Sequence, residues 1–240
     1  MRSLKEVAGV FITHNETGTC VLNNLFEIAP VVKAHPSKPL LLVDSVSALG
    51  GVNLPMDKLG IDVLVSASQK AWMASPGMAM VAVSPYAWEK HQKSTMPRYY
   101  FDLTKYEKFS QKNQTPATPA VSVLYSLQAA LDLMKKEGRE KVFGRHIELR
   151  DYLRGEIKKL GLKLLVSDAE ASPTVTSLFP PVGIDEKVWR DLLKEKYDLI
   201  IAGGMGDLKG KIVRVAHMGY VTKSDLDQVI EAFRKSLKEV

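Results

Sequence analysis

The chain has 240 residues, 45% of them hydrophobic and 25% charged, the mix of a globular protein with room for one large domain or two smaller ones. Its net charge of +6 is diluted: nine Lys/Arg stand against seven Asp/Glu in residues 1–100, and 24 against 20 afterwards, so no dense basic surface for nucleic acid is expected. No apolar run is long enough to cross a bilayer, MRSLKEVAG has no signal-peptide core, and the lone Cys20 excludes an internal disulfide; a cytoplasmic protein without membrane or nucleic-acid partners is predicted.

Four short apolar runs come first: VAGVFIT (7–13), PLLLVDS (39–45), IDVLVSAS (61–68) and GMAMVAVS (77–84). The second is nearly continuous Leu and Val, as in a strand buried on both faces. A helical pattern around Asn24 to Ala34 separates the first two, so a parallel sheet covered by helices is predicted. Residues 93–115 are polar and aromatic without periodicity and read as a covering loop. TPATPAVSVLYSLQAALDLMKKEG then announces a helix, with Thr118 as its N-cap, Pro119 at the first position and Gly138 at its end. A second long helix covers about 140–160, with Leu149, Leu153, Ile157 and Leu160 on one face and Gly161 as its stop.

The last third changes character. LKLLVS (162–167), TVTSLF (174–179), LIIAG (199–203) and KIVRVAHM (211–218) read as strands, with a helix at about 186–197. A final helix at about 224–238 follows Thr222, and Asp225 gives it capping-box spacing. The predicted architecture is α/β: a parallel-rich sheet unit over residues 1–139, then a small α+β domain over 140–240.

Open parallel sheets bind ligands beyond the carboxyl ends of their strands. The second run ends in Asp44, and the third leads into Ser66-Ala67-Ser68-Gln69-Lys70. Lys70 has no charged neighbour in sequence between Asp62 and Glu89. A carboxylate and an amine at such an edge suit pyridoxal phosphate, where a lysine forms the Schiff base and an acid keeps the pyridine nitrogen protonated. An Asp–Lys salt bridge explains the same spacing, and spacing alone favours it. The five histidines have no metal-ligand spacing, and His217 reads as packing.

The motif wording goes further. VDSVSALGGVNLPMDKLGIDVLVSASQKAWMASPGMAMVAVS (43–84), THNETGTCVLNN (13–24) and KGKIVRVAHMGY (209–220) resemble the class V aminotransferases of fold type I, particularly the alanine–glyoxylate and serine–pyruvate branch. The resemblance implies pyridoxal 5'-phosphate as cofactor and Lys70 as its Schiff-base residue. It also implies Asp44 at the pyridine nitrogen, Val46 against one ring face, Thr17 near the phenolic oxygen and Gln69 near the phosphate. Ser66 and Ser68 are weaker phosphate candidates. Thr115 and Thr118 correspond to a stretch that reaches the neighbouring subunit's cofactor, so a homodimer is implied. Arg214 corresponds to the residue that grips the substrate carboxylate; unaided, a strand arginine paired with an acid such as Asp207 is the plainer reading. Cys20 stands in a glycine-like place and carries no implied role.

In the family, a further part of the large domain precedes the equivalent of Val7. A fragment, one half of a split enzyme or a shortened relative is therefore expected. The implied reaction moves an amino group between a small amino acid and a 2-oxo acid by a ping-pong cycle. A non-catalytic subunit is the alternative of another class. A related lyase or cysteine desulfurase stays within the superfamily, but Gln69 stands where a desulfurase usually has histidine, and no later cysteine is present to carry sulfur.

Overall fold

The computed structural model describes residues 5–240. The first strand, β1 (Gly9–Thr13), is followed by a two-rung antiparallel hairpin, β2 (Asn15–Glu16) and β3 (Val21–Leu22). Next comes α1 (Leu25–Lys33), started by the Asn24 side chain, which accepts from the Phe26 amide. β4 (Leu40–Asp44), the one-turn α2 (Met56–Leu59), β5 (Val63–Ala67) and β6 (Ala79–Val83) complete the first sheet, ordered β1-β4-β5-β6. β1, β4 and β5 are parallel, whereas β6 runs antiparallel to β5. The reversal has a simple cause: a parallel return needs a crossover of about a dozen residues or more, usually helical, and the link from Ser68 to Met78 is an irregular loop.

Alternation along the strands sorts their side chains. Leu41, Val43 and Leu64 are buried beneath Leu25, Ala29 and Val32 of α1. Leu42, Asp44, Val63 and Val65 point to the opposite face, where Phe11 is 81% exposed.

One helix ends where the predicted covering loop (93–115) begins, and a second lies within it. α3 (Pro85–Lys93) is capped by Ser84, which accepts from the Ala87 amide, and α4 (Leu103–Ser110) is capped by Asp102. α5 (Val121–Glu137) starts later than predicted: Ala120, not Thr118, is its N-cap residue. The reason is packing, because Val123, Leu127 and Ala130 are its first buried residues and residues 117–122 are exposed. α6 (Arg139–Lys159) buries Leu149, Leu153 and Ile157 as predicted, and Gly161 follows it with φ of 75°.

β7 (Val175–Leu178), α7 (Glu186–Tyr197), β8 (Ala202–Gly203), β9 (Val213–Ala216) and α8 (Lys223–Ser236) form the remainder. The three strands make an antiparallel sheet ordered β7-β9-β8, and the helices bury Trp189, Leu193, Leu226 and Phe233 against it. The Thr222–Asp225 capping box is formed. The predicted strand at 162–167 is absent; Leu164 makes one bridge to Leu178 before the chain turns away into a 3-10 turn at Asp168–Glu170. Of the predicted strand at 199–203, only Ala202–Gly203 pairs.

Candidate active site

The parallel register sets Thr13, Asp44 and Val65 side by side. Asp44 is the last residue of a central strand and is exposed at the rim of a cavity of about 330 Å³, lined also by Phe11, Leu42 and Val65. Its Oδ1 accepts from the Val46 amide at 2.9 Å; its Oδ2 has no partner among the described residues. Three residues beyond the next strand, Lys70 opens the turn Lys70–Met73, closed by the Met73 amide donating to the Lys70 carbonyl at 3.0 Å. Lys70 is half-buried, and its amine has no hydrogen bond or ion pair among the described residues. The Asp44–Lys70 salt bridge that spacing favoured is therefore not formed.

The Lys70 loop is braced from within. Trp72 Nε1 donates to Ser66 Oγ at 2.8 Å, and Ser68 Oγ donates to the Ser75 carbonyl at 2.7 Å. Both serines, weaker phosphate candidates in sequence, thus serve the loop itself. Gly50, with φ of 101°, lies against the turn: a Cβ there would sit 3.1 Å from the Ala71 carbonyl carbon.

Thr17 lies in the β2–β3 turn, and its hydroxyl meets Ser47 Oγ at 2.7 Å, joining the turn to the loop after Asp44. The C-terminal sheet holds both loops. Thr174 Oγ1 donates to the Ser47 carbonyl at 2.6 Å, and Ser177 Oγ donates to the Thr19 carbonyl at 2.7 Å. Arg214, half-buried on β9, donates from Nε to the Gly203 carbonyl at 2.8 Å and from Nη1 to the Thr17 carbonyl at 2.9 Å. It makes no ion pair with Asp207 among the described residues. A guanidinium has five N–H groups, so three remain for a ligand. Nearby Asn15 is buried with Oδ1 unpartnered, a polar atom that bound water or ligand would satisfy.

Val46 is half-buried in the turn after Asp44, and Gln69 is exposed beside Lys70. Thr115 and Thr118 are not gathered with them. They line a separate, broad depression of about 980 Å³ with Asn113 and Leu124. Burial pushes the His14 imidazole down to about 4 and the Cys20 thiol up to about 11. Cys20 holds a φ of 67°, which accounts for its glycine-like place. His217 is fully buried, its Nε2 is 2.9 Å from Thr176 Oγ1, and burial pushes it down to about 3; it packs, as the sequence suggested. Sequence reasoning missed Ser47, Thr174 and Ser177. A signal existed in four hydroxyl residues among six positions, Ser172 to Ser177.

A family model described as aminotransferase class-V matches residues 4–229. The chain belongs to the class V aminotransferase family. It is 42% identical over 236 residues to the "Soluble hydrogenase 42 kDa subunit" of Anabaena cylindrica, covering 98% of this chain and 61% of that protein. It is 38% identical over 241 residues to the alanine–glyoxylate aminotransferase of Callithrix jacchus, covering 95% of this chain and 57% of that one. The crystal structure of pyridoxamine–pyruvate aminotransferase from Mesorhizobium loti superposes with a TM-score of 0.93 at 30% identity, over 99% of this chain and 62% of that one. The chain thus spans about three-fifths of the length of these relatives. Its mixed, parallel-rich sheet is the fold type I architecture of the class V aminotransferases, which are pyridoxal phosphate enzymes. The donor set here fits that cofactor. Among the described residues, Asp44 offers a free carboxylate oxygen and Lys70 an unpaired amine, and Thr17 offers a hydroxyl hydrogen-bonded to Ser47.

Proposed function

We propose that this chain carries the Schiff-base lysine and substrate-carboxylate site of a pyridoxal phosphate-dependent aminotransferase acting on a small amino acid and a 2-oxo acid. One observation carries the reading: among the described residues, Lys70 stands half-buried and unpaired in the turn after β5, while Asp44 ends the neighbouring strand with one carboxylate oxygen free. When bound, the cofactor supplies an electron sink for the substrate's α-carbon. Asp44 holds a proton on the pyridine nitrogen, and Val46 packs against the ring. Thr17 holds the phenolic oxygen, and Gln69 helps hold the phosphate. Lys70 would hold the cofactor covalently, and its amine would take the proton from the substrate's α-carbon and return it. Arg214 orients the α-carboxylate shared by amino donor and 2-oxo acceptor.

In this reading residues 1–139 belong to the cofactor-binding unit and 140–240 to the small domain. The protein is a homodimer in which Thr115 and Thr118, apart from the other site residues here, reach the partner's cofactor phosphate. The names of the relatives support alanine or serine as donor and glyoxylate as acceptor, and the name of the Mesorhizobium loti enzyme supports pyruvate as acceptor.

Borohydride reduction in the presence of pyridoxal phosphate, followed by peptide mapping, is the test. Label on Lys70, lost in Lys70→Ala and not restored by Lys70→Arg, is expected, because a guanidinium supplies no neutral amine. Label on a different lysine overturns the assignment. Absence of any label favours a non-catalytic subunit or a fragment that needs a further part of the large domain.

A further inference from the structure

Behind the Lys70 turn lies a residue held at both its backbone amide and its carbonyl. Gly219, in the segment after β9, has φ of 76°, and a Cβ on it would meet Met73 Cγ at 3.1 Å and the Lys70 carbonyl oxygen at 3.6 Å. It is therefore the wall against which the turn rests. Two consecutive residues of α6 grip it. Arg145 Nη1 donates to the Gly219 carbonyl at 2.8 Å, while its Nε and Nη2 donate to the two carboxylate oxygens of Glu137 at 2.7 and 3.0 Å. The Gly219 amide donates to His146 Nε2 at 3.1 Å.

His146 is fully buried, and its other nitrogen, Nδ1, lies 2.7 Å from the Val142 carbonyl. A carbonyl only accepts, so Nδ1 carries the proton and Nε2 offers its lone pair. This tautomer alone serves both neighbours. The imidazole also fills the space beside Gly51, where a Cβ would come within 2.9 Å of His146 Cδ2. Gly51 belongs to the loop that follows Asp44. One buried ring thus touches the loop after Asp44 and the segment that backs Lys70. Burial holds it below the usual histidine range, and the charged groups near it are Arg145 and Glu137.

We propose that His146 is a positioning residue for Lys70: its Nε2 lone pair fixes the Gly219 amide, and through Gly219 it sets the Lys70–Met73 turn. The inference deepens the proposed function and rests on Lys70 being the cofactor lysine. It makes a distinction that a space-filling role does not. His146→Gln brings an acceptor to about the position of Nε2 and gives up the Val142 contact. His146→Asn reaches only as far as Nδ1, keeping Val142 and abandoning Gly219.

The experiment uses the full chain and two readouts. One is hydrogen exchange at the Gly219 amide. The other is the rate at which Lys70 is acylated by an N-hydroxysuccinimide ester, read by peptide mapping. The Gln variant is expected to resemble wild type in both. The Asn variant should exchange Gly219 faster, on the order of ten-fold for one lost hydrogen bond, and should acylate Lys70 at an altered rate. Equal Lys70 rates in the two variants would overturn the proposal. So would an unprotected Gly219 amide in wild type, a measurement that needs neither variant to fold. Failure of the cofactor-lysine reading shows separately, as borohydride label on another lysine with the Asn–Gln contrast intact.

Discussion

Arg214 on β9 donates from Nη1 to the backbone carbonyl of Thr17, 2.9 Å away across 197 residues of chain. The residue proposed for the substrate thereby also anchors the turn proposed for the cofactor. Arg214→Ala leaves the Thr17 and Gly203 carbonyls without this partner and is expected to lower stability by about 2 kcal/mol in urea unfolding. Turnover with carboxylate substrates should fall further, by about 2–5 kcal/mol in kcat/KM, since a partner charge is left unpaired. Arg214→Lys keeps the charge and loses the planar fork, so most of that loss should persist. Normal turnover in Arg214→Ala would remove the substrate role.

Thr174→Val keeps the shape of a fully buried side chain and removes the hydroxyl that donates to the Ser47 carbonyl. The Ser47 carbonyl then keeps only the long 3.5 Å contact from Asn15 Nδ2, and losing the better bond to a buried acceptor costs about 1 kcal/mol, which should appear as a lower urea midpoint at unchanged m-value. Wild-type stability would mean that the Ser47 loop does not depend on the Thr174 hydroxyl.

Three buried histidines set the acid limb of the stability profile. Burial lowers His14 to about 4, His217 to about 3, and His146 in the same direction. In the unfolded chain each takes up its proton near about pH 6.5. The contribution is thus whole above that pH. It falls as acid protonates the unfolded state first, and the decline ends only as the folded forms protonate, near 4 for His14 and 3 for His217. Urea midpoints should drop between about pH 7.5 and about pH 5, a range above most carboxylate titration. A flat profile over that range would contradict neutral burial of these rings.

Gly50→Ala combines a φ of 101° with a Cβ placed 3.1 Å from the Ala71 carbonyl carbon and 3.2 Å from the Trp72 amide nitrogen. The strain is about 1–3 kcal/mol, and relief requires the Lys70 turn to move. Lower thermal stability and slower borohydride labelling of Lys70 are expected together. Destabilisation with unaltered labelling would show that the turn's position tolerates the shift.

The amphipathic and capped elements were legible because their causes are local. α7 occupies the predicted span, α8 carries the predicted capping box, and α6 buries its predicted Leu149, Leu153 and Ile157. Misreadings occurred where neighbours decide. Thr118 has the right chemistry for an N-cap, yet α5 waits until Val121 because only Val123 and later residues find a core. Residues 162–167 have strand composition, but after one bridge no partner remains alongside.

By itself the sequence determined the first-sheet strands and the long amphipathic helices, the solitary Lys70 after a buried strand, Asp44 at the end of another, and the family wording that joins them. Those are properties of residue type and spacing, which periodicity and motif express directly. Only the tertiary structure decided that Lys70 is unpaired among the described residues, that Arg214 bonds two backbone carbonyls in place of Asp207, and that Ser47, Thr174 and His146 hold the loops around the site. Backbone carbonyls and amides are the same at every position, so a side chain that binds one leaves no mark in the sequence of its partner. Such bonds become visible only when folding brings distant segments within about 3 Å.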